Sequence, residues 1–267
     1  MPPPVNPAAP QEPIIRIDKV AQHRGARTIF RDVSFEVAPG EIFVILGGSG
    51  SGKSTLLNQM IGLLPPTAGT IEIAGHRITG STGHAELLAA QQVFGVMFQS
   101  GALFGSMTLL ENVMLPLEMS TDLPAEARVA VARVQLGLVG LGHAADLLPA
   151  EISGGMAKRA GIARAMALDP PILFLDEPSA GLDPITSAGL DRLILDLRED
   201  LGATFVVVTH ELASILAIAD RCIMLDADAY PDAGGVIAAG DPRVLRDNAT
   251  NPKVRAFFQR KMVEACT

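Results

Sequence analysis

Polar and apolar positions over residues 14–46 alternate or run apolar in three short stretches, IIRIDKV, FRDVSFEV and EIFVILG, with Gly25 and Pro39-Gly40 between them. Such runs between turn formers predict strands. Helical spacing follows from Lys53 to Ile61 and stops ahead of Pro65-Pro66, after which GTIEIAG and VFGVMFQ read again as strands. Between roughly Thr108 and Pro149 the pattern is helical. Leu109, Val113 and Leu117 share the face of one helix, and Val129, Ala132, Val134 and Leu138 suggest the apolar face of another. The rest alternates: helix 156–168, strand ILFLD, helix 184–201, strand TFVVVTH, helix 212–219, strand CIMLD. Asp183-Pro184 sets an N-cap before a first-turn proline. A final helix, KVRAFFQRKMVEA, puts Val254, Phe257, Phe258 and Met262 on one side, to pack on its own core or against a partner.

Apolar strands alternating with helices imply a parallel sheet covered on both faces. The expected organisation is a leader at 1–13, an α/β core over 14–247 with a helical subdomain at about 100–165, and a C-terminal helix or tail at 248–267. The leader, MPPPVNPAAPQEP, is proline-rich and lacks both a basic start and an apolar stretch, so it reads as disordered and not as a signal peptide.

Composition narrows the classes. With 29 acidic against 21 basic side chains and a formal charge of −8, the chain is a poor candidate for neutralising nucleic-acid phosphates, and no nucleic-acid partner is expected. Cys222 sits in an apolar run and Cys266 in the tail, without metal-ligand spacing, which fits a reducing compartment. No run is long enough to span a bilayer, so a cytoplasmic protein is expected.

The candidate chemistry lies at strand ends. Gly47-Gly48-Ser49-Gly50-Ser51-Gly52-Lys53-Ser54 fits the phosphate-loop pattern G-x-x-x-x-G-K-[ST] at every fixed position, between a strand and a helix, with Thr55 following. Its backbone N–H groups can surround phosphates, Lys53 supplies positive charge and Ser54 offers a hydroxyl to Mg²⁺. Asp176 ends ILFLD, where it can hold Mg²⁺, and Glu177 beside it can orient and polarise an attacking water. His210 ends TFVVVTH and Gln99 ends VFGVMFQ; each is either a structural residue or a group near the γ-phosphate, Gln99 through its amide to Mg²⁺ or water. Ser153, Gly154 and Gly155 open a helix whose unpaired N–H groups form a second anion site.

Six motifs in order resemble an ABC-type ATPase: the phosphate loop at 47–54, Gln99, ISGGM at 152–156, ILFLDE at 172–177, AGLD at 180–183 and His210. The resemblance spans about Ile14 to Leu245. It implies a P-loop NTPase core with a mostly parallel sheet, an N-terminal antiparallel β subdomain and a helical insert. It also implies an ATP hydrolase whose signature residues Ser153, Gly154 and Gly155 bind the γ-phosphate held by a second copy, with Asp183 at that interface. Met156 replaces the glutamine most members carry. SGGMAKRAGIARAMALDP, FQSGALF and RGARTIF look like the Mla/Mce-type lipid-transport ATPases. Those act with a separate integral membrane permease and a lipid-binding envelope partner, which implies a place on the cytoplasmic face of the inner membrane. The stretch that usually stacks an aromatic ring on adenine is here AQHRGAR, where Arg24 is either the stacking group or a solvent-facing turn residue. Phe98, Leu103 and Phe104 are groove candidates for the permease or core residues. Three alternatives stay open: a soluble ABC ATPase not linked to transport, an ABC ATPase of a transporter with another substrate, and a nucleotide-binding regulator without turnover.

Overall fold

The computed structural model describes residues 12–25 and 27–259, so most of the leader, and Met262 and Cys266, lie outside the described residues. In chain order the elements are β1 (Ile15–Arg24), β2 (Arg27–Val37), β3 (Ile42–Gly47), α1 (Lys53–Met60), β4 (Ala68–Ile73), β5 (His76–Ile78), α2 (His84–Gln91), β6 (Phe94–Met97), α3 (Leu109–Ser120) and α4 (Ala125–Leu138). Then come α5 (Gly154–Ala165), β7 (Ile172–Asp176), α6 (Pro184–Leu201), β8 (Thr204–Val208), α7 (Leu212–Ile218), β9 (Arg221–Tyr230), β10 (Ala233–Gly240), α8 (Pro242–Asn248) and α9 (Pro252–Gln259).

Among the described residues ten strands join one sheet in the order β5-β4-β1-β2-β10-β9-β3-β8-β7-β6. The run β9-β3-β8-β7-β6 is parallel throughout, whereas β5-β4-β1-β2 is antiparallel. The two regions meet where β10, antiparallel to β9, pairs with β2 through Gly234 and Phe30. The parallel strands aim their C-terminal ends at one edge, where open α/β sheets bind ligands.

The central strand shows why the fold holds. Every residue of β3 is buried, and successive side chains enter opposite cores. Ile42, Val44 and Leu46 pack with residues of α3–α7, while Phe43 and Ile45 pack with β1, β2 and α1. Full burial of each such side chain is worth about 1.5–3 kcal/mol relative to exposure. The cluster on the α3–α7 side joins the helices between β6 and β7 to the sheet itself.

Expected and observed elements differ in instructive places. In α4 the buried residues are Ala132, Gln135 and Leu136, whereas Val134 is 61% exposed and Leu138 40% exposed. The inward stripe follows the positions where α3 and α5 pack, so two residues of the expected face point outward. The helix expected at 156–168 is α5, which starts at Gly154 because the Ser153 hydroxyl accepts a hydrogen bond from the Met156 N–H. It stops at Ala165, ahead of Asp169 with φ +52° and Pro170-Pro171. The short strand β5 and helix α2, and the hairpin partner β10, had no clear pattern in the sequence. TFVVVTH is strand only to Val208, so Thr209 and His210 lie just past its end.

One close approach fixes α5 on the sheet. Gly95 of β6 faces the Ala165 carbonyl so tightly that a Cβ there would come within 1.9 Å of the oxygen. Only a residue without a side chain lets the end of α5 lie on β6. No helix among the described residues is long and apolar enough to cross a membrane. Cys222 is fully buried and its thiol is pushed up to about 12, chiefly by burial, which leaves it unreactive.

Candidate functional site

The phosphate loop connects the end of β3 to α1. Gly52 adopts φ +97° and lies against Phe30, where a Cβ would come within 2.8 Å of the ring; glycine satisfies both demands. The Lys53 ammonium folds back over the loop and donates to the carbonyls of Gly47 (2.8 Å) and Gly48 (3.0 Å). Burial lowers its pKa, against the opposing pull of Glu177 and Asp176. A half-buried cation with only neutral acceptors is prepared to meet an anion.

A cavity of about 350 Å³ opens beside this loop, between Gly50–Thr55 and the β1–β2 hairpin residues Arg24, Arg27 and Ile29. Arg24 and Arg27 face one another across the hairpin. Arg24 thus stands on the pocket wall, and Arg27, which the sequence reading passed over, stands with it. The Ser51 hydroxyl is buried without a partner.

The ends of β7 and β8 supply the carboxylates and the imidazole. Asp176 is the last residue of β7, paired with Val208 of β8. Burial raises its pKa and the neighbouring Glu177 raises it further, against Lys53 and Lys158. Glu177 turns the chain with φ +47°, its N–H donating to the Val208 carbonyl at 2.8 Å. Its Oε1 lies 2.8 Å from His210 Nδ1, and its Oε2 is buried with no partner. The structure therefore brings Lys53, Asp176, Glu177 and His210 to one edge of the sheet.

Gln99 follows β6 with its side chain exposed. Its carbonyl is what the protein holds, accepting from the Lys158 ammonium. Lys158 is 7% exposed and donates also to the Glu177 carbonyl at 3.2 Å. Sequence reading missed it; a lysine inside the apolar spacing of α5 was the available signal. Of the groove candidates, Phe98 and Leu103 pack against the two cores, while Phe104 is 51% exposed.

The start of α5, where a second anion site is expected, stands apart from this cavity. Ser153, Gly154 and Gly155 are not among the residues lining the phosphate-loop cavity. Gly155 instead lies against Thr186, where a Cβ would come within 2.5 Å of the Thr186 methyl. Thr186 donates through N–H and hydroxyl to Asp183, the cap of α6, whose carboxyl these bonds, the hydroxyl's foremost, hold below the usual range. The starts of α5 and α6 are thereby set side by side. Met156 packs partly buried against the core and offers no amide.

A phosphate loop after a central parallel strand, with carboxylates at the ends of neighbouring strands, defines a P-loop nucleotide hydrolase. The family described as ABC transporter matches residues 30–180. The intermembrane phospholipid transport system ATP-binding protein MlaF of Escherichia coli is 40% identical over 245 residues, covering 92% of this chain and 88% of MlaF. The probable ribonucleotide transport ATP-binding protein mkl of Mycobacterium tuberculosis is 42% identical over 249 residues, covering 93% of this chain and 67% of mkl. Among solved structures, the ATP-binding cassette MJ0796, dimeric and bound to ADP and Pi after hydrolysis, superposes with a TM-score of 0.73 at 32% identity over 85% of this chain and 98% of that one. The chain belongs to the ABC transporter family, and it is an ATP-binding, ATP-hydrolysing subunit.

Proposed function

We propose that this subunit drives phospholipid transport in a bacterial envelope, docked through a separate integral membrane permease on the cytoplasmic face of the inner membrane, with a lipid-binding envelope partner beyond it. The observation that carries the cargo assignment is the match to MlaF along nearly the whole of both chains. Ribonucleotide cargo is the second reading, favoured by the match to mkl, of which this chain covers less.

In this reading two copies close head to tail around two ATP molecules. Lys53 and the loop N–H groups hold the phosphates of one, with Gly47–Gly52, Ser54 and Thr55 around them. Ser153, Gly154 and Gly155 of the other copy complete the site with the N-terminal N–H groups of α5, and Asp183 lies at the interface. Support comes from the separation of the two anion sites within one chain and from the dimeric MJ0796 relative.

The donor set also fits Mg²⁺: a carboxylate (Asp176), a hydroxyl (Ser54) and an amide (Gln99) suit a hard cation that takes few protein oxygens beside phosphates and water. When bound, the ion supplies charge neutralisation to the phosphate oxygens. Glu177 acts as general base, its carboxylate oriented by the contact of Oε1 with His210 Nδ1. His210 also reaches toward the γ-phosphate. Arg24, with Arg27, covers the adenine by its guanidinium plane. The loop after Gln99, with exposed Phe104, forms part of the permease groove.

Affinity purification from detergent-solubilised membranes, with mass spectrometry of bound proteins and lipids, tests the assignment. A stoichiometric permease with phospholipid and a lipid-binding protein is expected. Co-purifying ribonucleotide cargo without lipid would favour the second reading, and recovery without any membrane subunit would overturn both.

A further inference from the structure

We propose that Lys158 is a positioning residue for hydrolysis: its ammonium ties the helix that begins at Ser153 to the peptide that aims Glu177, so capture of α5 by the second copy is relayed to the base. The inference rests on the roles given above to Glu177 and Ser153.

Three contacts fasten one side of α5 to the loop after β6. Lys158 donates to the Gln99 carbonyl, Gly161 lies against Gly101, and Arg164 donates to the carbonyls of Gly101 (2.8 Å) and Ala102 (2.7 Å). These residues are spaced by three, so they fall on one face of the helix. Helix α5 and the segment Gln99–Ala102 thus move as one body. Lys158 alone of the three also reaches β7's end, through the Glu177 carbonyl at 3.2 Å.

That second bond matters because of the backbone it holds. A non-glycine residue at φ +47° is strained and persists only where neighbours over-determine it. At Glu177 the neighbours are the Val208 carbonyl on the N–H side and, on the C=O side, the Ala180 N–H at 3.2 Å together with Lys158, the one of these that belongs to α5. Without the ammonium, the carbonyl keeps only the turn bond from Ala180, and the peptide loses its link to α5. Ser153 lies five residues before Lys158, about 7.5 Å along the axis, so a pull on one end of this short lever reaches the other.

A buried ammonium bonded to backbone carbonyls adds little net stability over an apolar chain of equal length, since desolvation offsets the bonds. It does fix where both carbonyls sit. Lys158→Met keeps the volume and removes the bonds.

Steady-state turnover and binding of a fluorescent ATP analogue are to be measured on the full chain for Lys158→Met, Lys158→Gln, Ser153→Ala and the double variant Ser153→Ala/Lys158→Met, with Glu177→Gln as control. For both Lys158 variants kcat falls about 10–100-fold, the scale of a misplaced catalytic group, with nucleotide binding and melting temperature near wild type. The Ser153→Ala effect shrinks in the Lys158→Met background, because the relay is already cut. Wild-type kcat in both Lys158 variants, additive effects in the cycle, or loss of folding and nucleotide binding in both would each overturn the proposal. Turnover by Glu177→Gln would instead overturn the general-base assignment itself, so the two failures are distinguishable.

Discussion

His210 Nδ1 lies 2.8 Å from Glu177 Oε1, while Glu177 Oε2 is buried without a partner. One oxygen of the carboxylate is held by the imidazole and the other is shut off from solvent. Glu177→Gln preserves the size of the side chain and removes its basicity. We expect ATP binding to survive and turnover to fall about 10²–10⁴-fold, the usual worth of a positioned base. The closed dimer should then accumulate with ATP, visible by size-exclusion chromatography. Turnover equal to wild type would exclude Glu177 as the base.

Lys53→Ala removes the cation over the phosphate loop. Hydrogen bonds to charged groups are worth about 1.5–3 kcal/mol, so nucleotide affinity should drop roughly 10–100-fold. The nucleotide-free protein should melt no lower than wild type, because burial already penalises the charged form of this lysine. Calorimetric titration and thermal melts read the two effects separately. Unchanged affinity would count against the loop as the phosphate site.

The raised pKa of Asp176, caused first by burial and then by Glu177, sets a pH dependence. Between its unfolded and its higher folded pKa, the folded state holds more proton than the unfolded one, so this group lowers stability as pH rises through that window. Asp176→Asn without nucleotide should therefore melt higher than wild type at neutral pH. The difference should vanish below the ordinary aspartate range, where both forms are neutral. Melts across pH check this, and ATP with Mg²⁺ should stabilise wild type more than the variant.

Gly95→Ala drives a methyl group into the Ala165 carbonyl at the end of α5. Overpacking of this kind costs about 1–3 kcal/mol. A lower denaturation midpoint with unchanged slope in urea is the expected reading. A midpoint equal to wild type would show that α5 can lift from β6 at no cost.

Much of this was legible in the sequence because phosphate chemistry needs glycines, a lysine and a hydroxyl at fixed intervals, and because buried parallel strands are apolar throughout. Asp176, Glu177 and His210 could be placed at the sheet edge from strand pattern alone. The inward stripe of α4 could not, since Gln135 is buried while Val134 is exposed: neighbouring helices, and not residue type, choose that face. Lys158 was equally hidden. Its partners are backbone carbonyls of residues 59 and 19 positions away, and a carbonyl has no side-chain identity to read. The contact of Gly155 with Thr186 depends on how two helix starts meet in space.

The separation of Ser153–Gly155 from the cavity beside Lys53 has a consequence for inheritance. In the proposed dimer, each working site borrows from both chains. Lesions in Lys53 and Ser153 carried by different chains of a mixed pair spoil the same site and spare the other. Placed together on one chain, they spoil both sites whenever that chain pairs with an intact copy. A doubly altered allele should therefore act as a dominant poison in a cell that also makes the normal protein, and two singly altered alleles should partly rescue each other.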